Sequence, residues 1–180
     1  MKKVLILSGS PRKNGNSDIL CDEFYKGALA NGNQVEKIRV AEQDINACLG
    51  CYYCRTHNGA CVHKDGMADL LQKIIDADVL VLATPVYFYS MCAQLKTVID
   101  RTVARWREIK NKELYYIITS AENERDTLDG TITSLRGFAK CIDGYEEKGI
   151  LYGRGVEDRG AVLGEPDLMR IAREMGESVR

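Results

Sequence analysis

The sequence predicts a doubly wound α/β domain with a five-stranded, mainly parallel sheet and helices on both faces. Strand-like apolar runs alternate with helix-like periodic segments from one end of the chain to the other. One run, Asp78–Ala83, is almost wholly apolar, which is typical of a strand buried on both faces. The length of 180 residues suits one core, so we expect a single domain over residues 1–180.

The first half of the chain contains three predicted strands and two predicted helices. In order, they are a strand over Lys3–Leu7, a helix over Ser17–Ala30 that ends at Asn31-Gly32, a strand over Gln34–Val40, a helix with Met67, Leu70, Leu71, Ile74 and Ile75 on one face and Asp65 as its N-cap, and the buried strand Asp78–Ala83.

The second half continues the alternation. It contains a helix over Gln94–Trp106, a strand over Leu114–Thr119, a helix that carries Ile132, Leu135, Ala139 and Ile142, a strand over Ile150–Tyr152 and a last helix opened by Pro166. Two segments lack periodicity, Ala41–Lys64 and Gly153–Glu165. In a sheet of this kind ligands lie beyond the carboxyl ends of the strands, so the loops after the first, third and fourth strands are the candidate sites.

Composition excludes several classes of protein. The net charge of −1 carries no basic stripe for nucleic acid, and no stretch is long and apolar enough to span a bilayer. The apolar run after Met1 is too short for a signal peptide. We therefore expect a cytoplasmic protein, in which the seven cysteines are reduced.

The loop after the first strand, Ser8–Ser17, is rich in small and hydroxyl-bearing residues and runs directly into a helix. Free amides at a helix N-terminus bind phosphate, to which Ser10, Asn16 and Ser17 could add donors and Arg12 charge. A capped turn without a ligand is the alternative. Five residues separate Gly9 from Gly15, and Asn16 replaces the lysine of a Walker A loop, so the pattern favours a monophosphate such as that of FMN.

The loop after the third strand, Thr84–Met91, is rich in aromatic residues. It could border a flat ring, although the same side chains could simply fill the core. The third strand ends in Ala83-Thr84-Pro85 and lacks the aspartate that a response regulator needs there. Beside a phosphate loop, the ring-binding interpretation is the stronger one.

Ser8–Ser17, Thr84–Ser90 and Gln94–Arg101, together with Tyr152–Val156 and Ala172–Gly176, resemble the NADPH-dependent FMN reductase family of flavodoxin-like proteins. The resemblance implies a flavodoxin-like sheet order 2-1-3-4-5, FMN as cofactor, NAD(P)H as hydride donor and a homo-oligomer, either a dimer or a tetramer. It implies a phosphate and ribityl site at Ser10, Arg12, Asn14, Gly15, Asn16 and Ser17, an isoalloxazine border at Pro85, Val86, Tyr87 and Phe88, and closure of the pocket by Ser120 and Ala121.

A cysteine-rich insertion is expected at about 41–64. Cys48, Cys51, Cys54 and Cys61 have the spacing C-x2-C-x2-C-x6-C, and thiolates so spaced can converge on one centre. The motif resembles that of the iron–sulfur flavoproteins, a branch of the same family, which implies a possible [4Fe–4S] cluster. Zinc, with His57 or His63, a redox disulfide and free thiols are the alternatives. Cys21, Cys92 and Cys141 are expected to be small buried residues.

These features predict an FMN-dependent NAD(P)H oxidoreductase that passes electrons to a small molecule or to a protein. No catalytic side chain is predicted, because the cofactor supplies the chemistry. Two alternatives remain open. One is an iron–sulfur flavoprotein that relays electrons from a ferredoxin-like donor, and the other is a flavin-binding sensor without turnover. Trp106, between two arginines, could lie in a subunit interface or in the core.

Overall fold

The computed structural model describes residues 1–180 and contains one twisted sheet. Its strands are β1 Lys3–Ser8, β2 Gln34–Arg39, β3 Val79–Tyr87, β4 Ser90–Met91, β5 Glu113–Thr119 and β6 Glu146–Gly153. Its helices are α1 Asn16–Ala30, α2 Tyr53–Thr56, α3 Met67–Asp76, α4 Ala93–Arg101, α5 Asp126–Ala139 and α6 Pro166–Glu177.

The five long strands are parallel and lie in the order β2-β1-β3-β5-β6, while the two-residue β4 pairs antiparallel with the end of β3. This confirms the predicted order 2-1-3-4-5, because the fourth and fifth predicted strands correspond to β5 and β6. The order reverses between β1 and β3, so the loops that follow these two strands flank the switch point where ligands bind in such sheets.

The core lies in two layers, one on each face of the sheet. Alternate side chains of β1 and β3 point to opposite faces, so that Leu5 and Leu80 pack under α3, α4 and α5, whereas Ile6 and Val81 pack under α1 and α6. Because both faces of β3 are covered, all of its first six residues are buried and the strand reads as a continuous apolar run.

Helices α1 and α6 approach each other through two glycines. A Cβ on Gly27 would lie 2.1 Å from the carbonyl oxygen of Arg173, and one on Gly176 would lie 2.1 Å from that of Phe24. Larger residues at these positions would force the two helices apart. The pair therefore sets how α6 covers the sheet beside α1.

Several predicted bounds are wrong in informative ways. The third strand does not end at Ala83 but continues to Tyr87, where it turns back into β4. The helix predicted over Gln94–Trp106 ends at Arg101 and is followed by two 3-10 turns. Helix α5 begins at Asp126, inside a segment too polar to show helical periodicity.

No helix of the structure combines the length and apolar character needed to cross a membrane.

Replacing Gly27 with alanine is expected to lower the free energy of unfolding by about 1–3 kcal/mol, because the new methyl group has no space against the α6 backbone. Gly137→Ala in α5 is the matched control. No atom lies within 4 Å of a Cβ at that position, so this change should raise the free energy of unfolding by up to about 1 kcal/mol. Urea denaturation measures both values. Equal effects of the two substitutions would contradict the close packing of α1 on α6.

Candidate functional site: the loops at the carboxyl edge of the sheet

The loop between β1 and α1 leaves the sheet through a narrow gap. The Gly9 amide donates to the carbonyl oxygen of Ala83 at 2.8 Å, and a Cβ on Gly9 would lie 2.8 Å from the same oxygen and 2.9 Å from the Cβ of Leu95. Only glycine fits between Ala83 of β3 and helix α4. This contact fixes the loop directly beside the segment that follows β3.

The first turn of α1 presents unpaired donors. The backbone amides of Asn16, Ser17 and Asp18 donate to no other group, and the N-cap residue Gly15 has no side chain to satisfy them. The Ser17 hydroxyl is buried and has no hydrogen-bond partner. Such a helix end carries partial positive charge, so a bound dianion would satisfy these donors.

A buried network of charges supports this loop from below. The Asp18 carboxylate accepts hydrogen bonds from the Ser8 hydroxyl at 2.7 Å and from the Asn14 amide at 3.0 Å. It also forms ion pairs with Lys37 at 2.9 Å and Arg39 at 3.4 Å, both on β2. The bond to its amide holds Asn14 in the left-handed region, at φ 55°.

The charge state of Asp18 follows from these contacts. Burial alone would raise the pKa of Asp18, but the hydrogen bonds from Ser8 and Lys37, with the charge of Lys37, hold this pKa below its usual value. Each of the two cations also pairs with a second carboxylate, so the network is balanced and holds Asp18 in place without leaving surplus positive charge behind the loop. Sequence reasoning missed this network, because a charged residue in a first helical turn and charged residues on an edge strand are ordinary surface features.

Two of the predicted phosphate ligands bind another part of the chain in this structure. The Asn16 side-chain amide donates to the carbonyl oxygens of Val156 and Asp158, both at 2.9 Å, and its oxygen accepts from the Val162 amide at 3.2 Å. The Arg12 guanidinium donates to the Glu157 carbonyl oxygen at 3.2 Å. Asn16 therefore offers a ligand its backbone amide, while its side chain anchors the segment after β6.

The other predicted phosphate residues line the same loop. The Ser10 hydroxyl accepts a hydrogen bond from the Arg12 amide at 3.2 Å, and Gly15 packs against it, since a Cβ on Gly15 would lie 2.8 Å from Ser10 Oγ. Asn14 lies at the exposed rim of the loop. The compact turn therefore depends on small residues at positions 10 and 15.

The aromatic segment after β3 is a hairpin rather than an irregular loop. Val86 and Tyr87 pair with Met91 and Ser90, and the two-residue turn holds Phe88 at φ 47° and Tyr89 at φ 62°. Bulky residues rarely adopt this conformation, so the surrounding structure must hold it in place. The Phe88 side chain is fully exposed at the tip.

Two contacts hold the hairpin. The Thr84 hydroxyl accepts from the Cys92 amide at 2.9 Å and donates to the Pro85 carbonyl oxygen at 2.7 Å, so it is not free to bind a ring edge. Gly130 of α5 lies against the turn, and a Cβ there would lie 2.4 Å from the Tyr89 carbonyl oxygen. The strained turn is thus fixed at its base and at its tip.

The loop after β5 closes the edge. The Ser120 amide donates to the Gly153 carbonyl oxygen, and the Ser120 carbonyl oxygen accepts from the Val156 amide, both at 2.9 Å. Ala121 beside it is exposed. Since Val156 also binds Asn16, the loops after β1, β5 and β6 meet at one place. The predicted residues of all three ligand loops therefore lie at the same edge of the sheet, with their binding roles still predictions.

The four cysteines of the predicted cluster motif lie in a loop that we call the cysteine segment, residues 46–65. Cys48 and Cys51 are exposed, and Cys54 and Cys61 are partly buried. The donor set has the chemistry of an iron–sulfur or zinc site, but the structure brings no three side chains of histidine, cysteine, aspartate or glutamate together at one point. Ligation by these thiols therefore stays a prediction.

The remaining cysteines divide into two kinds. Cys21 and Cys92 are buried as predicted, and the Cys92 thiol donates to the Gly9 carbonyl oxygen at 3.0 Å. The expectation for Cys141 is wrong. Helix α5 ends at Ala139, and Cys141 lies exposed on the turn that follows the helix.

A doubly wound sheet of this order, with a donor-lined loop after β1 and an aromatic hairpin after β3, defines a flavodoxin-like protein. A family model for NADPH-dependent FMN reductases matches residues 2–130. The chain belongs to this family.

Similar proteins agree with that assignment. An iron–sulfur flavoprotein of Archaeoglobus fulgidus is 43% identical over 101 residues, which are 56% of this chain and 45% of that protein. The matched segments span about half the length of that protein and of two other curated iron–sulfur flavoproteins.

Solved structures show the same fold. The NAD(P)H:quinone oxidoreductase of Methanothermobacter marburgensis aligns with a TM-score of 0.75 and 19% identity over 99% of this chain and 96% of its own. An FMN-dependent NADH-azoreductase of Bacillus anthracis, solved in complex with FMN, aligns with a TM-score of 0.75 and 18% identity over 98% of both chains.

Replacing Ser17 with alanine is expected to weaken FMN binding about tenfold, because a hydrogen bond to a charged group contributes roughly 1.5–3 kcal/mol. The ligand-free protein should be equally or more stable, since the substitution removes a buried hydroxyl without a partner. Fluorescence titration and urea denaturation measure the two effects.

Ser178→Ala, at an exposed position after α6, is the control and should leave FMN affinity unchanged. If Ser17→Ala bound FMN as tightly as the wild type, this hydroxyl would not contact the phosphate.

Proposed function

We propose that this protein is an FMN-dependent NAD(P)H oxidoreductase that passes electrons to a small-molecule or protein acceptor. The observation that carries the proposal is the set of unpaired donors at the start of α1, with the orphaned Ser17 hydroxyl among them, at the same edge of the sheet as the aromatic hairpin. A phosphate at the first and a flat ring along the second would match FMN. Membership in the FMN reductase family supports the same cofactor.

The residues have separate roles in this proposal. The amides of Asn16, Ser17 and Asp18 bind the phosphate, while Lys37 and Arg39 balance the charge of Asp18 behind them. Bound FMN supplies hydride acceptance and electron transfer.

The hairpin and the loop after β5 would position the ring. Pro85, Val86, Tyr87 and Phe88 border it on one side, and Ser120 with Ala121 closes the pocket on the other. Because the hairpin is fixed by Thr84 and Gly130, the ring would meet a rigid edge.

Anaerobic addition of NADPH or NADH to the FMN-loaded protein tests the activity. The visible absorbance of oxidised flavin should bleach at a catalytic rate, and turnover should continue when a quinone is added. Gly15→Ala should lose FMN and activity together, because a Cβ at this position lies 2.8 Å from Ser10 Oγ, whereas Gly164→Ala meets no atom within 4 Å and should behave like the wild type.

The outcomes separate the three functional hypotheses. If neither nucleotide bleached the flavin, the proposed NAD(P)H oxidoreductase activity would be contradicted. Rapid reduction by a ferredoxin-like protein instead would point to an electron-transfer module. FMN binding without reduction by any donor would point to a sensor.

The cysteine segment favours a second candidate function, ligation of a [4Fe–4S] cluster by Cys48, Cys51, Cys54 and Cys61. Four free thiols within a short loop, none of them in the buried core, supply a suitable donor set, and the Archaeoglobus relative is named an iron–sulfur flavoprotein. A cluster would accept single electrons.

Iron analysis after anaerobic reconstitution with iron and sulfide tests this candidate. Wild-type protein should bind iron, and Cys54→Ser should lose most of it, because one thiolate ligand is missing. Cys141→Ser is the matched control, an exposed cysteine outside the segment that should leave iron content unchanged. If the protein bound zinc in place of iron, or if Cys54→Ser held as much iron as the wild type, ligation of a [4Fe–4S] cluster by these cysteines would be contradicted.

We also propose that the chain forms a homo-oligomer in the cytoplasm. Val103 and Trp106, after the end of α4, are large apolar side chains that remain 43% and 40% exposed, which supports a subunit interface at this face. Sedimentation velocity tests whether the protein is an oligomer.

The cytoplasmic location is supported by the seven cysteines, all of which are free thiols, as they would be in a reducing compartment.

A further inference from the structure

A buried ion pair lies at the base of the cysteine segment. Arg101, the last residue of α4, donates from its two terminal nitrogens to the two carboxylate oxygens of Asp65, at 2.8 and 2.9 Å. Both side chains are only 2% exposed. The guanidinium of Arg101 holds the pKa of Asp65 well below its usual range, so the pair is charged at neutral pH.

This pair joins the two ends of the segment to each other and to α4. One of the two terminal nitrogens of Arg101, Nη1, also donates to the Asn46 carbonyl oxygen at 2.6 Å. The Asn46 amide donates to the Asp65 carboxylate at 2.9 Å, and the Met67 amide donates to its other oxygen at 3.2 Å. Two side chains therefore close a loop that contains all four cysteines of the motif.

Other contacts between the segment and the core are few. Gly59 packs against Ala104 and Arg105, where a Cβ would lie 2.6 Å from Arg105 Cγ. Much of the rest is internal, such as the stacking of Tyr53 on His57 with ring centroids 3.6 Å apart. The only helix in the segment is the single turn α2, and the residues on both sides of it are mostly exposed. The position of the thiols consequently depends on how the base is held.

We infer that Arg101 and Asp65 are positioning residues for the cysteine segment, which anchor both ends of the loop that carries the four thiols to α4. In its consequence for metal binding this inference rests on the proposed cluster. Closing a long loop costs conformational entropy, and a loop whose two ends are already joined does not incur that cost when the metal binds. Either buried charge, left without its partner, would open the base to reach water.

The structure offers a direct measurement of this role. Trypsin cleaves after Arg55 and Lys64, two exposed residues inside the segment. Cleavage requires local opening, so its rate reports the open population of the segment. In iron-free, FMN-loaded protein, Asp65→Asn is expected to raise the rate after Arg55, which unlike Lys64 does not adjoin the substituted residue, about tenfold or more, with FMN affinity unchanged.

Arg101→Lys keeps the charge but loses the two-pronged contact, so its cleavage rate should lie between those of Asp65→Asn and the wild type. Asp100→Asn is the matched control. Asp100 adjoins Arg101 in the chain, and the substitution removes only its exposed ion pair with Lys96. Trypsin should cleave this variant at the wild-type rate.

Cleavage of Asp65→Asn at the wild-type rate would overturn the inference. Parallel loss of FMN and of thermal stability would also overturn it, because the pair would then support the whole fold rather than the segment. In the iron-binding arm, reconstituted Asp65→Asn should hold less iron than Asp100→Asn, and equal iron would contradict the positioning role. If the wild type itself binds no iron, the cluster proposal fails, and proteolysis alone decides the role of the pair.

Discussion

Backbone donors without acceptors at the start of α1 are the constraint on which the account of this site depends. A buried strand delivers the chain to a helix whose first amides face no protein acceptor, and a buried Ser17 hydroxyl lies among them unpaired. Buried donors are normally satisfied in native proteins, and a bound phosphate would satisfy these. The partial positive charge at this helix end favours a negatively charged partner.

The neighbouring loops take their positions from the same junction. The Asn16 side chain holds the segment after β6, and that segment holds Ser120. Strand β3 and helix α4 lie so close to position 9 that only glycine fits there. The hairpin after β3 is strained at Phe88 and Tyr89 and is held by Thr84 and by α5. The edge of the sheet is thus a set of interlocked loops, each fixed by contacts outside the proposed ring position, as a site that binds a cofactor rigidly requires.

Much of this could be predicted from the sequence, because local patterns carry it. The apolar run Asp78–Ala83 and the small residues of Ser8–Ser17 indicate a buried strand and a phosphate loop without any tertiary information. The network around Asp18 could not be predicted, since it forms only when β2 lies beside β1. The hairpin was not apparent because two aromatic residues occupy a turn that normally contains asparagine or glycine. Asp65 was expected to cap α3. It does bind the Met67 amide, although Gly66 is the N-cap residue, and its ion pair with Arg101 depends on where α4 ends.

The most direct test of the central claim is a titration of the iron-free wild-type protein with FMN and, separately, with riboflavin. The two ligands share the ring and the ribityl chain and differ only in the phosphate. If the donors at the start of α1 bind that group, FMN should bind at least about tenfold more tightly than riboflavin, and added inorganic phosphate should narrow the difference. Equal affinity for the two flavins, or no affinity for either, would contradict the account.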